Sequence, residues 1–300
     1  MPEKATLNEV GTNPNESWRN FSMQGAIPPC LLSRDDLKVL YRLINNKQMD
    51  YRDKLLSQLS QQQNETQEQC EQRRIRVSNA FITTVLITGV NGTVVTGHGE
   101  AIFDSSSLPE RILTILYDTS FSPNAQLKHM PSDRVSLLLD FSKPPLINFV
   151  SQPSALTPNN SNWNIFGETE SWATSLNTRL TEFFGERKTS VGWLHKAATY
   201  DWLLLLGGFP LSLWGANKLG GFIIGGKTFP PIMSVAIYGY AFILAANIFR
   251  ALFSYSRWVY PKIELESSRS PVLKHRILWG TISLGLVISA IWDGIKFLAS

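Results

Sequence analysis

At Gly97-His98-Gly99-Glu100 an imidazole and a carboxylate stand two positions apart among glycines. In an extended strand, side chains at i and i+2 share a face. His98 and Glu100 could therefore act as general acid and base in a hydrolytic or transfer reaction. The same tetrapeptide also fits a β-bulge that turns polar residues to water. No catalytic residue is assigned beyond this pair. The other histidines, His129, His195 and His275, are scattered, and none lies at ligand spacing from a cysteine, a carboxylate or another histidine. Asp104, Asp118, Asp133 and Asp140 fall beside turns and strand ends, where Asp commonly caps and turns chains, so no metal site is expected. Walker A, dinucleotide-fingerprint, nucleophile-elbow and H-E-x-x-H patterns are absent, and no cofactor is expected. Cys30 and Cys70 are too few for a disulfide framework and read as free thiols in a reducing compartment.

A formal net charge of +4 would suit a polyanion binder if it were concentrated in the soluble part. It is not. Residues 1–200 carry 19 Lys/Arg against 20 Asp/Glu, whereas residues 201–300 carry 9 against 4. The densest arginines, Arg73, Arg74 and Arg76, have glutamates close by, so no nucleic-acid partner is expected.

The basic third is also the apolar third. A bilayer core about 30 Å thick needs roughly 20 apolar residues in a helix. Three segments qualify, at about 198–217, 231–255 and 277–299, the first interrupted by Gly207-Gly208 and Pro210 and therefore able to be a full span or a re-entrant one. With three crossings, Arg187, Lys188, Lys196, Arg250, Arg257, Lys262, Arg269, Lys274 and Arg276 all flank the helices on one side. Only Lys218, Lys227 and Lys296 flank them on the other. Because basic flanks stay cytoplasmic, the amino-terminal domain is expected inside a plasma or inner membrane and the carboxyl terminus outside. The opening residues show no secretory leader pattern.

Within the third segment, Thr281, Gly285, Ser289 and Asp293 recur at i+4 and share one helix face, and the second segment offers Asn247 as a hydrogen-bonding group. Small residues at that spacing allow close helix approach, and an intramembrane carboxylate generally faces a partner or a cavity. These residues are expected to pack helices together or to line a pore or oligomer interface.

The elements ahead of the helices read as an α+β cytosolic domain. Residues 1–32, rich in Asn, Pro and Gly, are expected to form a flexible arm. A cytosolic α+β domain follows at 33–152, a linker with an amphipathic helix at 153–196, and a transmembrane domain at 197–300. Ser33-Arg34-Asp35-Asp36 opens a helix whose apolar face reads Leu37, Leu40, Tyr41, Ile44, Tyr51, Leu55 and Leu59. Phe81–Thr88 and Thr93–Phe103, joined around Asn91-Gly92, predict a β-hairpin. Arg111–Asp118 is expected to be a short helix, Arg134–Phe141 a strand, and 146–150 a further strand. Trp172, Leu176, Leu180, Phe183 and Phe184 form the stripe of the amphipathic helix, whose glutamates favour packing on the sheet or a partner over lying on a bilayer. Lys262-Ile263-Glu264-Leu265-Glu266 alternates like a short strand docking on the soluble domain, or contacts anionic lipid.

These readings point to a multi-pass membrane protein. Its cytosolic module would bind a ligand or protein, the chain having the bilayer and a protein partner or second copy as its associates, and it would act as a sensor-effector on the membrane. The alternatives are a membrane-anchored enzyme at His98 and Glu100, and a structural membrane scaffold.

Overall fold

The computed structural model describes residues 21–63, 65–145, 154–266 and 272–299. Their elements fall into two compact units. The first draws on Met1–Ser142, Asn159–Thr189 and Ile263–Glu266, the second on Lys143–Pro158, Ser190–Lys262 and Ser267–Ser300.

The first unit is a six-stranded antiparallel sheet with helices on one face. Its strands are β1 (Phe21–Ala26), β3 (Thr84–Gly89), β4 (Val94–His98), β5 (Ile112–Asp118), β6 (Arg134–Asp140) and β7 (Asn162–Gly167), in the order β1-β7-β6-β5-β3-β4. Alternation sets the two faces. Val85, Ile87, Ile115, Tyr117, Val135, Leu137, Leu139, Trp163 and Ile165 point into one core, while Leu86, Leu116, Leu138 and Asn164 on the other face stay partly exposed.

Helix α1 (Arg34–Gln58) covers part of the inner face with Leu37, Leu40, Tyr41 and Ile44. Its start is the expected capping box: Ser33 Oγ accepts from the Asp36 N–H, and Asp36 accepts from the Ser33 N–H at 2.8 Å. The remainder is covered by α4 (Glu170–Glu186), whose Phe184 stacks on Trp163 with ring centres 5.7 Å apart. The stripe of the amphipathic helix thus packs on the sheet. A smaller core joins Tyr51 and Leu59 to Val77 and Phe81, which lie on and just beyond α2 (Gln67–Ala80). Here Arg73 forks onto Glu65 at 2.9 and 2.7 Å and reaches the Ser60 carbonyl, so the arginine-rich stretch closes its own loop.

Several expectations are corrected. The flexible arm does not extend to residue 32, because Phe21–Ala26 forms an edge strand on β7 and Cys30–Leu32 forms β2; residues 1–20 lie outside the described residues. Arg111–Asp118 is no helix but the central strand β5. The linker boundary also moves: Asn159–Thr189, including β7 and α4, belongs to the sheet unit. The strand expected at 146–150 lies outside the described residues. A short helix α3 (Phe121–Leu127) was not anticipated.

In the second unit, α5 (Thr199–Leu203), a π turn at Leu204–Gly208 and α6 (Phe209–Ile224) run on as one helix. Gly225, in the left-handed region at φ 43°, caps it. After Pro230, α7 (Pro231–Val259) returns antiparallel, and α8 (Val272–Ala299) follows. Among the described residues, α7 is the one helix that is both long and apolar enough to cross a membrane, with a mean hydropathy of 1.9 over its best window. Three spans are more than this test supports.

Candidate functional site

His98 ends the edge strand β4, and Gly99, at φ 87°, turns the chain into a 3-10 turn at Glu100–Asp104. Glu100 therefore does not continue the strand, and the two side chains are not held at i and i+2 of one extended face. The Nδ1 of His98 lies 3.4 Å from the Thr83 carbonyl oxygen, and Glu100 accepts from Arg42 Nε at 3.1 Å. Each polar tip thus has its own neighbour. The four aspartates serve the fold. Asp104 pairs with Lys38, Asp118 caps Ser120 and Phe121, Asp133 accepts the Glu168 N–H, and Asp140 accepts the N–H groups of Ser142 and Asn160. Burial raises the pKa of Asp133 even though the Glu168 N–H opposes it.

A second locus is β2 (Cys30–Leu32). On one side it pairs in parallel with β8 (Ile263–Leu265), placing Cys30 beside Ile263 and Leu32 beside Leu265. On the other it meets the end of α4: the Leu31 N–H donates to the Arg187 carbonyl at 3.2 Å, Cys30 bridges Lys188, and the Thr189 N–H donates to Pro29. Arg187 also donates to Asp36 at 2.7 Å. Partial burial works against the ionised carboxylate of Asp36, yet the Ser33 N–H and Arg187 hold it below its ordinary pKa. Residues 263–265 thus form the expected short strand, paired within the sheet unit.

In the second unit, α6 and α7 are held together by small residues. Gly208, Ser212, Ala216 and Gly220, at i+4 spacing, are buried, as is Ala241 on α7. A Cβ on Gly220 would stand 2.4 Å from the Tyr238 ring, and one on Gly208 would stand 2.9 Å from Phe249. This stripe went unread in the sequence because Gly207-Gly208 and Pro210 look like interruptions. The i+4 spacing that marks 281–293 was visible here too.

The stripe that the sequence does single out is placed otherwise. Thr281 and Ser289 are exposed, a Cβ on Gly285 would meet nothing within 4 Å, and the Asp293 side chain lies outside the described residues. Asn247 is also exposed, its Nδ2 donating to the Ile243 carbonyl one turn back. Among the described residues, the hydrogen bond of Asn247 stays within α7 and does not reach the α8 face. Instead α8 meets α7 near its amino-terminal end: Tyr255 Oη lies 2.9 Å from His275 Nδ1, and the Tyr255 and Trp279 rings meet edge to face.

Near these helix ends, aromatic and basic side chains alternate. Lys143 lies 4.3 Å over Trp258 and Arg276 5.0 Å over Tyr260, both cation–π contacts. His195 is buried beside them, its Nδ1 2.9 Å from Thr157 Oγ1. Burial first, then the charge of Arg257, pushes its pKa down to about 4, so it is neutral near pH 7.

No protein-family model, no curated protein and no solved structure matches this chain.

Proposed function

We propose that the chain is a multi-pass membrane protein in which the sheet unit is a cytoplasmic ligand- or protein-binding module and the helices carry its effect to the bilayer. One observation supports this most: after α5, α6 and α7, the chain returns to the sheet unit at Ile263–Leu265. Thr189 and Ile263 therefore share a compartment. If α7 crosses a membrane, something between them must cross back. The continuous helix over 199–224, about 39 Å long at 1.5 Å per residue, is the segment that can do so. The interruption at Gly207-Gly208 is then a packing surface, and α8, with 28 residues, makes the third crossing.

The surface of α7 favours lipid over water. Its most apolar window is only 6% buried, unlike the core helix of a soluble protein. Phe222, Ile232, Val235 and Tyr240 are exposed beyond 70%, a patch that water would penalise and acyl chains accept. The basic flanks orient the sheet unit to the cytoplasm and the carboxyl terminus outside. The exposed positions Thr281, Gly285 and Ser289 suit a second copy or a protein partner. The enzyme alternative has no comparable support, since Glu100 is engaged by Arg42.

Reporter fusions after Lys218, Ser267 and Ser300 test the topology, with outside, inside and outside the expected signals. A cytoplasmic signal at Ser300 would overturn three crossings. On overexpression, loss of membrane potential is expected from the wild type and not from Asp293→Ala or Gly285→Leu. Equal effects from all three would remove the effector reading.

A further inference from the structure

We infer that β2 is a coupling junction, and that β8 is a strap through which the sheet unit and the end of α7 constrain each other. The inference uses the pairing within the sheet unit and extends the membrane reading above. A parallel pair three residues long has little stability of its own. This one is held by burial: Ile263 is 1% exposed, Cys30 and Leu32 are 0%, and Leu265 packs on the same core. The Glu266 N–H closes the pair onto the Leu32 carbonyl at 2.7 Å.

Only Tyr260-Pro261-Lys262 separates Val259, the end of α7, from the strap. Three residues span at most about 10 Å, and Pro261 fixes one dihedral, so little slack is available. β2 in turn is followed directly by Ser33, the cap of α1, and its other edge bonds Arg187 at the end of α4. Arg187 ties back to Asp36 in the first turn of α1. A displacement of α1 or α4 by a bound partner therefore moves β2, β2 moves the strap, and the strap pulls on α7. Such coupling is reciprocal, so a disturbance of the helix pair must loosen the strap to the same extent.

Cys30 serves as the reporter, because it is fully buried in register with Ile263 of the strap. The experiment uses the full chain in membrane vesicles with Cys70→Ser, reading N-ethylmaleimide modification of Cys30 by intact mass. Slow labelling is expected. Ile263→Gly with Leu265→Gly should raise the rate on the order of tenfold, by local opening. Ile165→Ala, in the same core but away from the strap, should leave it slow well below the unfolding temperature. Gly208→Leu, which wedges α6 from α7, should also raise Cys30 labelling, and a six-residue Gly/Ser insertion after Pro261 should cancel that rise. Wild-type Cys30 labelling as fast as in urea, an equal rise in Ile165→Ala, or no rise in Gly208→Leu would each overturn the inference. The Ser267 fusion reads membrane topology independently, so failure of the strap and failure of the three-crossing reading give different results.

Discussion

The core of the sheet unit and the face that α6 turns to α7 bury opposite kinds of residue. In the sheet unit, large apolar side chains fill the core, with Tyr117, Phe103, Phe184 and Ile115 essentially inaccessible. In the α6–α7 pair, Gly208, Ser212, Ala216 and Gly220 are inside, while Leu206, Phe222, Ile232 and Tyr240 are outside. The contrast is the one expected if the sheet unit faces water and the helix pair faces lipid, as proposed above. Water drives large apolar groups into a core. Acyl chains give no such drive, and helices associate through close backbone approach instead.

Four measurements can break or sharpen this contrast. Phe184→Ala removes a fully buried ring stacked on Trp163 and should cost about 3–5 kcal/mol of sheet-unit stability. Phe222→Ala, of identical chemistry, should leave thermal stability in detergent nearly unchanged. Next, Ile243→Arg places a charge on the exposed middle of α7 and should cost roughly 2.5–3.5 kcal/mol of insertion, seen as protein extracted by alkaline carbonate. Leu138→Arg, on the open face of the sheet, should not alter extraction at all.

His195 gives the third. Its pKa near 4 when folded lies below the ordinary value of 6.5, so the unfolded chain binds more protons across that interval. Stability should therefore fall as pH drops from about 6.5 to about 4, by roughly 2–3 kcal/mol. His195→Gln should flatten that slope, as read by thermal unfolding at each pH. The smallest effect is Ser33→Ala, where loss of the α1 cap should cost about 1 kcal/mol by the same measurement.

Much of the fold was legible where the determining contacts are local. The Ser33 capping box, the Asn91-Gly92 hairpin turn and the stripe of α4 each carry their partner within a few residues. β5 was misread because Ile112, Ile115 and Leu116 satisfy helical spacing, while Leu113, Ile115 and Tyr117 satisfy strand spacing. A run of seven residues does not separate the two periods. β1 and β7 hide in Asn- and Ser-rich sequence, although Trp163 and Ile165 alternate as a strand should. In the candidate sites, the positions of His98 and Glu100 were readable, but their spatial relation was not: it turns on the positive φ of Gly99 and on Arg42, a distant residue. The pairing of Cys30 with Ile263 is invisible locally, because nothing in either tripeptide names the other.

That pairing also sets an order of events during synthesis. A chain made from its amino end carries β2 for the whole time needed to produce α5, α6 and α7. About 230 residues separate Leu32 from Ile263, which at about 5–20 residues per second is on the order of ten seconds or more. Until Ile263 emerges, Cys30 and Leu32 lack one neighbour, so the sheet unit is finished only after both helices of the pair have been delivered. A nascent chain halted before Ile263 leaves an uncovered strand edge beside its own core, the kind of surface that chaperones hold and proteases find.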